Sequence, residues 1–151
     1  MKKKQLKVIG WRESVSLPDF GIEKINVKVD SGAATSSLHA FDMTTYEKGQ
    51  DQYVKFFIHP EQRHKTKPIE CHAKILEYRK IKSSNGQTER RPVILTRISL
   101  LDEHWSIELT LTNRDEMTFR MLLGRQSIRK RFLIDTGNSF YSTKVKRGIS
   151  K

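Results

Sequence analysis

The sequence predicts an all-β fold: a closed β barrel of short strands, a flap hairpin, and one short helix near the C-terminus. Three observations predict it. Alternation of apolar and polar residues at period two dominates the chain. Polar turns separate many short apolar runs, the pattern of a sheet that closes on itself. Only residues 125–131 suit a helix, with Ile128 and Phe132 spaced i, i+4.

The elements follow in chain order. Residues 1–4 are basic and polar and are expected to fray. Ile25, Val27 and Val29 share one strand face, and that strand runs directly into Asp30-Ser31-Gly32-Ala33. Gly32 lets the chain turn without a Cβ clash, and a second short apolar segment follows. Residues 42–52 and 59–70 are polar and rich in Pro, His and Lys, and read as loops framing one strand, Tyr53 to Ile58. Ser83-Ser84-Asn85-Gly86 separates two strand-like runs, and Asn-Gly is the strongest short hairpin signal. Arg79 precedes this tip, and Arg90 and Arg91 follow it. Ile94, Ile98 and Leu100 line the next strand. Trp105, Ile107, Leu109 and Leu111 line another, with Ser106, Glu108, Thr110 and Thr112 on its opposite face. Residues 119–123 read as a buried strand, ended by Gly124 and followed by the basic helix. Residues 142–151 read as a second basic tail.

A length of 151 residues fits one domain, with a core of about 7–141. The single cysteine, Cys71, cannot form an intramolecular disulfide. No apolar region follows the basic start, and no run approaches the roughly 18 apolar residues of a membrane span. A cytoplasmic location, with no membrane partner, is therefore expected. The net charge of +12 implies a polyanionic partner: nucleic acid, an acidic polypeptide or an anionic surface. For nucleic acid, aromatics clustered between the basic residues are missing from the sequence.

Asp30 at a tight turn between strands suits a carboxylate held rigidly for acid–base work. Asp-Ser/Thr-Gly-Ala is also the signature of aspartic peptidases. Eight blocks in order widen the likeness: Ile9–Glu13, Leu17-Pro18, Asp30–Ala33, Thr35–Ala40, Arg79, Ser83–Gly86, Leu109–Asp115 and Met121–Arg125. Together they resemble a bacterial family that goes under the name ATP-dependent zinc protease, whose members have a retropepsin-like, acid-protease fold. The likeness runs from about Lys7 to Tyr141. The name aside, the chain has no Gly-Lys-Ser/Thr phosphate loop and no His-Glu-x-x-His. The expectation is therefore neither cofactor nor metal. His39, His59, His64, His72 and His104, with Cys71, lack metal-ligand spacing.

The resemblance implies a peptidase that works with two carboxylates sharing one proton. The chain offers one convincing acid turn, so a symmetric homodimer is expected, with Asp30 from each protomer at the two-fold axis. Ser31 would brace the opposing turn, and Gly32 would allow close approach. The termini would pair in an interfacial sheet. The flap around Ser83, Ser84, Asn85 and Gly86 would close over substrate. Ala33, Arg79 and Arg114 complete the expected substrate contacts, and Arg125 is expected to make structural or dimer-interface ion pairs. The second Asp-Thr-Gly, Asp135-Thr136-Gly137, lacks a following apolar strand and is given a structural role. Relatives are associated with ATP-grasp glutamate ligases and with removal of glutamate tails. With the charge, this points to acidic or glutamate-rich peptide substrates. The competing readings are a nucleic-acid-binding basic β barrel, a zinc-dependent hydrolase, and an inactive peptidase fold kept for binding.

Overall fold

Alternating strands with one apolar face must bury that face, and here they do so by closing into a ring. The structure, a computed structural model, describes residues 5–60, 67–82, 85–114 and 118–146. In chain order the elements are β1 (Lys7–Gly10), β2 (Arg12–Leu17), a 3-10 turn (Pro18–Phe20), β3 (Ile22–Asp30), β4 (Ser36–His39), β5 (Phe41–Lys48), β6 (Asp51–Ile58), β7 (Ile69–Lys74), β8 (Glu77–Lys82) and β9 (Thr88–Leu100). They continue with β10 (Glu103–Thr112), β11 (Met121–Gly124), α1 (Arg125–Ile128), β12 (Phe132–Asp135) and α2 (Tyr141–Lys146). The order β10-β4-β11-β3-β2-β9 returns to β10 through the β9–β10 pairing, and β8 adds to β9 outside the ring. Strand β11 threads between β3, which it pairs in parallel, and β4, which it pairs antiparallel.

The inward residues are those the alternation marks. Ile25, Val27, Val29, Ile94, Ile98, Leu100, Ile107, Leu109 and Leu111 are all buried. On β11, Met121 and Leu123 are buried while Leu122 between them is half-exposed. A separate sheet, β5-β6-β7, adds Val54, Phe56, Ile58 and Cys71 to the same core, and Phe20 meets Phe56 edge-to-face at 5.5 Å. The all-β architecture expected from the alternation is the one observed, with its strands closed in a ring. Among the described residues no helix is long and apolar enough to cross a membrane.

Four details differ from the sequence reading. Residues 42–48 and 51–52 are strand, not loop, paired as the β5–β6 hairpin. Apart from Met43 and Tyr46 these side chains are polar, and all but Met43 are exposed, so no regular alternation marks them. The 59–70 segment ends in strand from Ile69; residues 61–66 lie outside the described residues. Helix α1 stops at Ile128, because Arg129 leaves helical geometry at ψ 139°. Residues 142–146 belong to α2, not to a tail. Its start is fixed by Glu13, which is fully buried. The Glu13 carboxylate accepts hydrogen bonds from the backbone N–H groups of Gly10 (2.7 Å), Tyr141 (2.9 Å) and Ser142 (3.2 Å), and from Ser142 Oγ (2.9 Å). Four donors satisfy the buried charge and tie the first and last elements together.

Candidate active site

Asp30 is the last residue of β3 and sits opposite Gly124 in the ladder. The chain turns at once. Asp30 O accepts from Ala33 N at 3.2 Å, and Asp30 Oδ1 accepts from Gly32 N at 3.0 Å. The side chain is thus oriented by its own turn, while Ser31 and Gly32 remain exposed. The turn is held from below by α1. Arg125 N donates to Ala33 O (2.7 Å), Gln126 N to Ala34 O (3.1 Å), and Arg125 Nη1 to Ser31 O (2.8 Å). The two backbone donors are N–H groups that the first turn of a helix leaves without intrahelical partners. Arg125 therefore braces the acid turn through a carbonyl.

Gly124 makes this docking possible. A Cβ there would lie 2.6 Å from Thr35 C, 2.7 Å from Thr35 O and 3.0 Å from Ala33 O, all backbone atoms. Gly124 N also donates to Ser36 Oγ at 2.9 Å, and Ser36 Oγ shares a 2.6 Å hydrogen bond with Ser127 Oγ. Buried hydroxyls thus lock the turn to the helix.

Strand register places a set of polar side chains on the same face of the ring as Asp30. Lys28 pairs with Leu122, Leu122 with Ser37, Ser37 with Thr110, Thr110 with Val93, and Arg91 with Arg79. Paired residues point the same way, and so do residues two apart. Asp30, Leu122, Ser37, Thr110, Arg91, Glu89 and Arg79 therefore share one face, the last three on the β8–β9 hairpin. Side-chain contacts agree. Thr110 Oγ1 donates to Ser37 Oγ (3.1 Å), Arg91 Nη1 donates to Ser37 Oγ (3.3 Å), and Thr112 Oγ1 donates to Glu89 Oε1 (3.0 Å). Alongside lies a cleft of about 570 Å³, bordered by Ala34, Thr35, Leu95, Glu108 and Lys130.

The expected substrate residues fall unevenly around this face. Ala33 is half-buried in the turn itself. Asn85 and Gly86 form the hairpin tip, with Gly86 at φ 87° and Asn85 Oδ1 accepting from Gln87 N at 3.0 Å. Ser83 and Ser84 lie outside the described residues. Arg79 is on the shared face but is held by Glu77 (2.6 Å) and Glu108 (3.0 Å), and these hydrogen bonds, Glu77 first, raise its pKa further. Arg114 lies just past β10, where its N–H donates to His39 Nδ1 at 3.0 Å, so the neutral His39 ring carries its proton on Nε2. Arg91, Glu89, Ser37 and Thr112 were not among the expected contacts. The only sequence signals for them were hydroxyl residues inside apolar strands and an arginine pair after the Asn-Gly turn.

Other candidate groups lie elsewhere. Asp135 ends β12, and its oxygens accept from Gly137 N (2.9 Å), Asn138 Nδ2 (2.8 Å) and Tyr141 OH (2.5 Å). The terminal strands β1 and β12 pair in parallel within the chain. Cys71 is buried, and burial, helped by the neighbouring Glu70 charge, pushes its thiol up to about 12. It is no nucleophile near neutral pH. Among the described residues no three His, Cys, Asp or Glu side chains converge to hold a metal ion.

The fold has counterparts among known proteins. A crystal structure of a Legionella pneumophila protein of unknown function superposes with a TM-score of 0.77 at 29% identity, covering 91% of this chain and 99% of that one. Two curated relatives are each named probable alpha-L-glutamate ligase. The Shewanella pealeana protein is 42% identical over 133 residues, 88% of this chain and 29% of that protein. The Parasynechococcus marenigrum protein is 43% identical over 132 residues, 87% of this chain and 28% of that protein. The chain thus spans under a third of the length of these relatives. A family model described as RimB-like, retropepsin-like aspartic endopeptidase RimB, matches residues 8–145. With that match over nearly its whole length, the chain belongs to the RimB-like family of retropepsin-like aspartic endopeptidases.

Proposed function

We propose that the chain is a homodimeric aspartic endopeptidase in which two Asp30 carboxylates, one from each protomer, activate water. One carboxylate accepts a proton from the water as it attacks the peptide carbonyl. The other, protonated, donates to the carbonyl oxygen; as the tetrahedral intermediate collapses, the first carboxyl passes its proton to the leaving amine nitrogen and the second recovers one from the intermediate's hydroxyl. The observation that carries this reading is the Asp30 turn: a carboxylate oriented by Gly32 N, braced by α1, and open on its outer edge. Val8 and Leu133 support the dimer. They are partners in the β1–β12 ladder, yet 40% and 55% exposed, an apolar pair suited to meeting a second copy.

Acidic or glutamate-rich peptides and protein tails are the proposed substrates. The +12 charge would draw them in. The relatives' name gives a chemical reason, since a peptidase joined to or working beside a glutamate ligase would meet glutamate-rich products. Peptides ending in four glutamates, compared with glutamine counterparts, test the proposal. Faster cleavage of the glutamate peptide by wild type, and none by a folded Asp30→Asn variant, supports it. Cleavage by Asp30→Asn at the wild-type rate refutes it.

One observation favours a second reading, binding of single-stranded nucleic acid. On the outer face of β5-β6-β7, Tyr46 stacks on Tyr53 (5.6 Å) and Phe41 lies 6.0 Å from Phe57. Lys48 and Lys55 lie over Tyr53 and Phe57 at 5.8 and 5.9 Å. These aromatics and lysines are scattered in sequence and gathered only by pairing. Such faces stack bases and neutralise phosphates. Titration of a labelled oligouridine decides it: micromolar binding lost in Tyr53→Ala supports this reading, and no binding at low salt removes it.

A further inference from the structure

We infer that Arg91 and Thr112 form a seat for a substrate carboxylate, and that the chain's own Glu89 occupies this seat until substrate displaces it. The inference rests on the acidic-substrate reading above and assigns the residues that would carry it.

Arg91 is 5% exposed, an expensive place for a guanidinium unless its donors are matched. They are matched only in part. Nη1 donates to Ser37 Oγ at 3.3 Å. Nε lies 3.3 Å from Glu89 Oε2, an ion-pair distance, but it makes no hydrogen bond among the described residues. A buried N–H of a charged group left without an acceptor costs more than an ordinary missing bond. The position is nonetheless well supported. Ser37, which receives Arg91, also receives Thr110 Oγ1, so the acceptor is fixed by a second, fully buried strand residue.

Glu89 completes the picture from the other side. Its side chain is 48% exposed, and it lies two residues from Arg91 on the same strand and face. Thr112 Oγ1 lies 3.0 and 3.2 Å from its two oxygens. A buried cation and a buried hydroxyl thus hold a carboxylate that is itself accessible from solvent. The donors belong to the fold, while the acceptor sits on a flexible side chain. A carboxylate from outside can take the same donors, and one reaching Nε with better alignment would satisfy the unmatched N–H. Register puts this seat on the same face as Asp30, reached through Thr110, Ser37 and Leu122. A peptide laid over that face could place a glutamate side chain on Arg91 while its backbone passes the acid turn.

The test compares kinetics on two peptides, one ending in four glutamates and one in four glutamines. Wild type, Arg91→Met, Arg91→Lys and Glu89→Gln are measured, each first checked for folding by circular dichroism. For the glutamate peptide, Arg91→Met should raise KM about tenfold or more, the size of a lost charged hydrogen bond. The glutamine peptide should change little, and Arg91→Lys should fall between. Glu89→Gln should lower KM for the glutamate peptide several-fold, because the internal competitor has lost its charge. An unchanged glutamate-to-glutamine ratio in folded Arg91→Met, or an unchanged or higher KM in Glu89→Gln, would overturn the seat. If wild type cleaves neither peptide, the peptidase reading fails separately. Calorimetric titration of Asp30→Asn, with and without Arg91→Met, then decides the seat by the same glutamate preference. Loss of that preference with Arg91→Met supports the seat, and its absence or persistence refutes it.

Discussion

Asp30 and Asp135 each head an Asp-Ser/Thr-Gly tripeptide, and each accepts the N–H two residues on, at 3.0 and 2.9 Å. Their second oxygens differ. Asp135 Oδ2 is held by Asn138 and Tyr141, whose phenol it drives to a higher pKa. Asp30 Oδ2 accepts no hydrogen bond among the described residues, which leaves it available to water or a second carboxylate. Asp135→Asn should therefore keep activity within about threefold of wild type while lowering the melting temperature by about 4 °C. Thermal scans and peptide assays of the purified variant check both parts. A folded but inactive Asp135→Asn would move the chemistry to the other tripeptide. The Asp30 turn was legible because the hydrogen bonds that orient its carboxylate and close the turn lie within four residues of chain, although its bracing by Arg125 does not. Arg91 was not, because its burial depends on Ser37 and Thr110, which only tertiary pairing brings to it.

At the scale of elements, the acid turn depends on how closely α1 and the end of β11 approach it. Gly124→Ala puts a Cβ within 2.7 Å of two Thr35 backbone atoms, and neither can move aside like a flexible side chain. Unfolding by denaturant should show a loss of about 3 kcal/mol, with activity falling as the turn shifts. A second junction joins the 3-10 turn to β9. Asp19 accepts from the Arg97 backbone N–H (3.0 Å) and from its guanidinium (2.7 Å). The backbone bond first, then the guanidinium and Thr96, hold the Asp19 carboxyl below its ordinary 3.8, against the opposing effect of burial. A depressed carboxyl stabilises the fold above its unfolded pKa and loses that contribution as pH falls through its folded value. Wild type should therefore melt above Asp19→Asn at pH 7, and the difference should shrink as pH drops below about 4. A gap that widens on acidification would contradict this. Strands with one apolar face were legible as such. Strand β5 was not, since only Phe41 and Met43 at its start are half-buried and the rest is exposed, and α2 was not, since its anchor is Glu13, 128 residues away from Tyr141.

For the whole molecule, the proposed chemistry requires two acid turns to meet. The ring supplies one Asp30, one braced turn, and an exposed apolar pair, Val8 and Leu133, on the β1–β12 sheet. Leu133→Asp should weaken association, seen as a lower sedimentation coefficient at micromolar concentration and as activity that falls more steeply on dilution. In a dimer the net charge of +12 would double, and it should raise the rate for acidic peptides at low salt. Screening over a Debye length of about 8 Å should remove that general attraction but spare a close pair such as one on Arg91. The most direct measurement mixes wild-type and Asp30→Asn subunits, allows them to exchange, and follows peptide hydrolysis at fixed total protein. If the site needs Asp30 from both protomers, activity should fall with the square of the wild-type fraction, so an equal mixture keeps about a quarter of the rate. A linear fall, with about half the rate retained, would mean that each chain carries a complete site and would contradict the shared Asp30 pair.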